Sequence, residues 1–353
     1  MRSLTFLLIS VFLLMFGYNA VEAAYPLHAY GQATCVLSVL YLVLTLSSVL
    51  AGFLTGIKPA GSLILLGPLG YALFTYSLLL NDPTLVLTGA VILGFTSAVY
   101  WVCCRTIVYR EIEEHRWGLA FGAVNVTAVL AGGLGPYLLL KLPYEYLLKL
   151  SLGLCSLSTV PLLPLHGKGR SECRGNLILM VKNILNKRLI TYTITAFCFS
   201  VNLPIVIAYI PTVCGSIVGE YRLVSYAIPS MFSLLGGTLY DRFGLYIVPI
   251  SAILALIAFL NLPYNPIFWG FILTATFSIL SPGFQAFLGN IVDKDKVPVA
   301  LGFVGLVAGI GVSLDIAIIG TLAKSAWIYL ASLMVLGIAF SISLRYDTCE
   351  ASS

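Results

Sequence analysis

Asp315, in G-V-S-L-D-I-A-I-I-G, lies inside a long apolar run and is the clearest residue in this sequence with chemistry to do. If that run crosses lipid as a helix, inserting the carboxylate costs about 2.5 to 3.5 kcal/mol, so it needs a partner, a wet cavity or a bound proton. Burial disfavours the charged form of an acid, which suits a group that takes up and releases protons. Two readings stand open: a proton-coupling site, or a structural carboxylate paired with Arg222 or Lys324. Glu22, near His28, is the second proton-coupling candidate. Its alternative is an acid at the interface, where charges reach water cheaply. Asn19, Tyr100, Trp101, Asn202 and Gln285 lie within apolar runs and are candidates to face a small-molecule solute, and Asn125 is a further polar group of this kind. Pro204 and Pro211 follow Asn202, and a helix broken there frees carbonyls toward a cavity. Arg105 and Arg110 open a charged loop with Glu111, Glu113, Glu114 and Arg116, read as solvated and biased toward one membrane face.

A short polar turn carries the second signal. Gly236 to Gly244 reads G-G-T-L-Y-D-R-F-G between two apolar runs, and a weaker echo, A-G-F-L-T-G-I-K-P, begins at Ala51. Gly236 and Gly237, lacking a Cβ, let a neighbouring helix approach closely. Asp241 precedes the following run, where its carboxylate can accept from free N–H groups and meet the positive end of a helix dipole. Arg242 can pair with an acid or a lipid phosphate.

The elements that must hold these residues are helices in lipid. Of the 353 residues, 59% are hydrophobic and 9% charged, with a mean hydropathy of +1.01, and the apolar runs have the length of spanning helices rather than of barrel strands. Twelve spans are expected, at about 4–24, 33–54, 61–80, 84–107, 117–140, 145–164, 190–214, 222–240, 246–262, 266–289, 297–321 and 325–344. Sorted by loop parity, fifteen of the nineteen Lys and Arg fall on one side, and only Lys141, Lys149, Arg222 and Lys324 fall on the other. By the positive-inside rule both termini face the cytoplasm. The net charge of +5 is thus an orientation signal, and no nucleic-acid partner is expected. The first run also imitates a secretory signal with small residues near Ala20 to Ala24; its cleavage would leave eleven spans. The eight cysteines show no C-x-x-C spacing, so no disulfide framework, metal site or cofactor is expected.

Gly52 and Leu54 recur as Gly237 and Leu239, 185 positions on, and E-E-H-R-W-G-L-A-F-G at Glu113 recurs as D-K-D-K-V-P-V-A-L-G, 180 positions on. Repeats of this size imply two homologous bundles with a solute site between them. The expected division is an N-terminal six-helix bundle at 1–165, a basic cytoplasmic linker at 166–188, a C-terminal six-helix bundle at 189–345 and a cytoplasmic tail at 346–353. The linker's G-N-L-I-L-M-V-K-N-I-L-N-K-R-L also suits a helix on an anionic membrane surface.

The Gly-x-Leu-x-Asp-Arg-x-Gly turn resembles the loop signature of the major facilitator superfamily of secondary transporters. That resemblance implies an all-α membrane protein of twelve transmembrane helices in two pseudo-symmetric six-helix bundles. It implies alternating access for a small organic solute, with protons as a coupling partner, in a multi-pass protein of the cell membrane. Gly237, Asp241, Arg242 and Gly244 become a conformational latch. In the first-half copy Gly56 stands where the acid belongs. Ala131 to Leu139, A-G-G-L-G-P-Y-L-L, partly resembles a glycine-proline signature of antiporters; helix packing by Gly132, Gly135 and Pro136 is the favoured reading. The sparse charge within spans favours a neutral or amphiphilic cargo, either a nutrient or an exported hydrophobic compound, carried by a monomer. The alternatives are a non-transporting receptor or scaffold of the same descent, and a membrane enzyme, for which no reactive cluster is visible.

Overall fold

The computed structural model describes residues 2–169, 182, 184–200, 218–321 and 325–349. Among them there are helices and turns and no strand. Helices α1 Arg2–His28, α2 Tyr30–Ile57, α3 Ala60–Leu63, α4 Leu66–Leu80, α5 Pro83–Glu111, α6 Trp117–Leu139 and α7 Tyr144–Leu157 come first. After the linker come α8 Lys187–Phe199, α9 Val218–Tyr221, α10 Phe232–Phe243, α11 Ile247–Asn261, α12 Pro266–Ile291, α13 Val297–Thr321 and α14 Ser325–Cys349. One π-helical stretch, Arg222–Ala227, joins α9 to the turn before α10.

Nine stretches of described helix are long and apolar enough to cross a membrane. One of them, Arg222–Asn261, contains two of the expected spans, divided at Gly244. There φ is +64°, a left-handed conformation that glycine adopts at little cost. The expected span at 190–214 is described only as far as Ser200.

Local chemistry sets the helix ends. Asp82 caps α5 by accepting from the Thr84 and Leu85 N–H groups at 2.8 and 3.0 Å, and Asn265 caps α12 by accepting from Phe268 at 3.1 Å. Each is followed by a proline in the first turn, where a missing N–H costs nothing. Helices α5 and α12, which supply most of the polar groups described below, therefore begin alike.

The outward faces are apolar. Leu42, Leu46 and Leu50 of α2 are exposed at four-residue spacing, and Leu69, Leu73 and Leu80 of α4 and Ile250, Leu254 and Ile257 of α11 at three-, four- or seven-residue spacing. In water such stripes would drive aggregation, whereas in lipid they face their solvent. Inward faces meet through small residues. A Cβ on Gly135 of α6 would collide with the Phe16 carbonyl of α1, and one on Gly132 would press on Asn19 at 3.3 Å.

Candidate functional site

A cavity of about 410 Å³ lies among α5, α6, α8, α10, α12 and α13, so residues from before and after the linker share it. Its size is that of a small-molecule site. One wall is aromatic. The Tyr192 and Phe284 rings stack 4.2 Å apart, and Phe199 stands edge-on to Phe277 and Phe284 at 6.3 and 6.0 Å. The Tyr192 hydroxyl donates to the Phe284 carbonyl at 3.0 Å, which holds α8 on α12.

Facing this wall is a polar cluster. The Asn125 and Gln285 side-chain amides both donate to Ser281 Oγ, at 3.2 and 3.0 Å. Pro282 has no N–H, so the Ser278 carbonyl one turn earlier loses its intrahelical donor beside the cavity. Thr274 Oγ1 is buried and has no hydrogen-bond partner among the described residues. Arg105 is the one charged side chain among the described lining residues. Holding a guanidinium at membrane depth costs on the order of 2.5–3.5 kcal/mol unless water or a counter-charge meets it.

Beyond Arg105, toward the C-terminal end of α5, contacts between helices follow in layers. The Tyr109 hydroxyl of α5 donates to the Gln285 carbonyl of α12, and the Tyr109 ring packs edge-on to Trp117 and Phe121, 5.0 and 4.9 Å away. Further down, Arg110 pairs with Asp295 at 2.6 Å and Lys294 with Glu114 at 2.7 Å, while Lys294 also lies 5.5 Å from the Trp117 ring centre. The loop after α5, expected to be solvated, is exposed at Glu111, Glu113, Glu114 and Arg116, and it also exchanges ion pairs with the loop after α12.

Beside these loops two helix crossings repeat one another. A Cβ on Gly52 of α2 would meet the Pro298 carbonyl of α13 at 2.6 Å, and one on Gly302 would meet the Ser48 carbonyl at 2.5 Å. A Cβ on Gly237 of α10 would collide with the Gly118 carbonyl of α6, and one on Gly122 with the Ser233 carbonyl. Adding 185 to 48 and 52 gives 233 and 237, and adding 180 to 118 and 122 gives 298 and 302, the two spacings read from the sequence. At the second crossing Asp241 accepts from the Gly118 and Leu119 N–H groups at 2.8 and 2.9 Å. The acid was expected to cap the helix that follows it; it lies inside the last turn of α10 and caps α6 instead.

The sequence model of the Major Facilitator Superfamily matches residues 7–260, well over half of the chain. This chain belongs to the Major Facilitator Superfamily. It is therefore a multi-pass membrane protein and a secondary transporter that moves small solutes by alternating access, not an enzyme. The fold is also that of solved superfamily structures. The E. coli fucose:proton symporter superposes with a TM-score of 0.79 at 14% identity, over 97% of this chain and 98% of that one. The human organic anion transporter MFSD10 (TETRAN) gives 0.76 at 14%, over 96% and 99%. A bacterial homologue of the iron transporter ferroportin, in an outward-facing state, gives 0.77 at 12% over the whole of both chains. No curated protein matches the chain in sequence.

Within this superfamily fold, the residues singled out from the sequence fall in several places. Gln285 and Asn125 line the cavity. Tyr100 is fully buried, packed on Gly67 and near Ser10, and Trp101 is packed edge-on against it at 5.5 Å; neither lines the cavity. Asn19 donates to its own helix at the Met15 carbonyl, 2.9 Å away, and packs on Gly132. Asn202 lies outside the described residues, and so does the side chain of Asp315, whose backbone belongs to α13. Arg242 is exposed, with its guanidinium 5.3 Å from the Phe243 ring centre. Glu22 lies six residues before the end of α1 and is partly buried. It accepts from the Tyr41 hydroxyl at 2.5 Å, with Arg222 within electrostatic reach of Tyr41 and Tyr226. His28 instead stacks on Tyr144 at 4.0 Å.

Sequence reasoning missed Arg105 as a cavity residue. The signal was its depth: T-I-V-Y separates it from Arg110, so it sits more than a turn inside the span.

Proposed function

We propose that this transporter carries a small organic solute through the cavity between Arg105 and the Tyr192–Phe284 wall. In this reading the chain forms two six-helix bundles, 1–165 and 189–345, joined by the linker 166–188, with both termini and the 346–353 tail in the cytoplasm. The bundles of a monomer rock about the cavity, and the two crossings open and close on one side of it. The observation that carries the reading is that one cavity draws its lining from both sequence halves and lies directly above crossings built on a repeated spacing. A solute shifts such an equilibrium only by binding the two states unequally.

Glu22 and Asp315 are the proton-coupling candidates. Glu22 is supported by its place: Tyr41 holds it from one half, and Arg222 and Tyr226 of the other half approach the same cluster, with Tyr226 also lining the cavity. Gly237, Asp241, Arg242 and Gly244 form the latch, in which Asp241 is the polar clasp and Gly237 the contact surface.

Purified protein in liposomes, given labelled solutes with and without a pH gradient, tests these readings together. A solute carried through this cavity accumulates, and one that binds there without ever accumulating would overturn the proposed route. Glu22→Gln or Asp315→Asn should abolish pH-driven accumulation if that acid carries the proton; full coupling in both variants removes them from the role.

A further inference from the structure

The cavity tells more about its cargo than that it is small. Its described lining holds one guanidinium and no carboxylate, lysine or histidine, so the charge that these described residues present to a solute is a single positive one. Arg105 is partly buried, and among the described residues it has neither an ion-pair nor a hydrogen-bond partner. The neighbouring acids are already occupied. Glu111 pairs with Lys168 at 3.7 Å, Glu114 with Lys294 and Asp295 with Arg110. The guanidinium, a planar fork of N–H donors, is matched to a carboxylate, sulfonate or phosphate oxygen pair.

The rest of the lining limits the cargo to one negative group on an apolar body. The Tyr192–Phe284 stack with Phe199 and Phe277 offers a rigid surface for a ring, and Tyr192 cannot turn away because its hydroxyl is tied to the Phe284 carbonyl. A second anionic group would find no second cation among the described lining residues. The amides of Asn125 and Gln285 each direct one N–H to Ser281 and keep a second N–H and a carbonyl oxygen, neutral groups that bring no charge to match a second anion. Resting on the reading of this cavity as the solute site, we infer that the cargo is an aromatic or otherwise apolar organic monoanion. Its anionic group is held by Arg105 and its body lies on the aromatic wall. Charge within the spans thus narrows the expected neutral or amphiphilic cargo to the amphiphilic kind.

The test is equilibrium binding to the purified full-length protein, using 2-naphthoate, 4-phenylbutyrate and indole-3-acetate beside their uncharged amides. The expected result is binding of at least one acid about tenfold or more tighter than its amide, the scale of one charge-assisted contact. Arg105→Gln should bring acid and amide together, and Arg105→Lys should keep part of the preference. Arg105→Glu should turn the preference toward 2-naphthylmethylamine, a gain that a misfolded protein would not show. Equal affinity for acid and amide, a preference that survives Arg105→Gln, or no binding of any pair would overturn the inference. Binding with the expected charge preference but no transport in liposomes would remove only the carrier reading. Transport of a neutral solute at the wild-type rate by Arg105→Gln would keep the carrier reading and remove this one.

Discussion

The two crossings share their packing and differ in their polar chemistry. At both, glycines allow two helix backbones to touch, Gly52 and Gly302 in one and Gly237 and Gly122 in the other. Only the α6–α10 crossing carries an acid on the opposing helix end, where Asp241 takes two N–H groups that otherwise have no intrahelical acceptor. At the α2–α13 crossing both members of the clasp have changed. The position equivalent to Asp241 is Gly56, and the position equivalent to Gly118 is Pro298, which has no N–H to donate. The acid and one of its two donors are missing together, while Val299, equivalent to Leu119, keeps its N–H. The lesson is that van der Waals contact and electrostatic clasp are separable parts of the same device, and one of them is present on one side alone.

The largest effects should come from the shared part. Gly237→Val and Gly52→Val each drive a side chain into a facing carbonyl, and overpacking of this kind costs about 1–3 kcal/mol. Both should cut solute accumulation in liposomes by about tenfold or more, to a similar degree. A wild-type rate in either variant would show that the crossing in question does not close during transport.

Removing the unshared part should have a smaller and one-sided effect. Losing a helix cap costs about 0.5–2 kcal/mol, with about 0.3–1 kcal/mol more from the helix dipole. Asp241→Ala should therefore raise the rate at which a cysteine introduced at the buried Ser233 reacts with a water-soluble maleimide by about tenfold. Gly56→Ala, with a reporter cysteine at the buried Ser48, should leave its rate unchanged. Gly56→Asp should slow the Ser48 reporter more when combined with Pro298→Ala, which restores the missing N–H, than alone. Additive behaviour in that cycle would mean the acid and the donor do not meet.

How much of this was legible in the sequence differs from residue to residue. The spacings of 185 and 180 were visible, and they locate both glycine crossings, because close packing demands glycine and so leaves a mark in the text. Asp241 was recognised as an acceptor for helix N–H groups, but its target was misread. The helix nearest in sequence is α11, whereas the one nearest in space is α6, and chain order carries no record of which helix crosses which. Arg105 was absorbed into the count of positive charges on one membrane face, because that count weighs a residue by loop and not by depth. Tyr100 and Trp101 were singled out as amphipathic rings, yet rings also fill cores. Tyr100 is packed on Gly67, and nothing in its sequence neighbourhood distinguishes that role from solute contact.

The ion pairs beyond the crossings should give the smallest effect. Arg110–Asp295 and Glu114–Lys294 join loops that are themselves sequence repeats at a spacing of 180, so each loop pairs with its own counterpart. Asp295 is 60% exposed and Glu114 62%, and exposed pairs are worth about 0–1 kcal/mol and are screened by salt. Asp295→Asn should thus change the Ser233 and Ser48 reporter rates alike, by less than about fivefold, and the change should shrink between 20 and 500 mM salt, ~ a Debye length of 20 Å falling below 5 Å. The Asp241→Ala effect, from an acid held in direct contact with backbone N–H groups, should persist across the same range. A salt-insensitive loss in Asp295→Asn as large as that of Asp241→Ala would move the clasp from the crossing to the loops, and with it the asymmetry between the two sides.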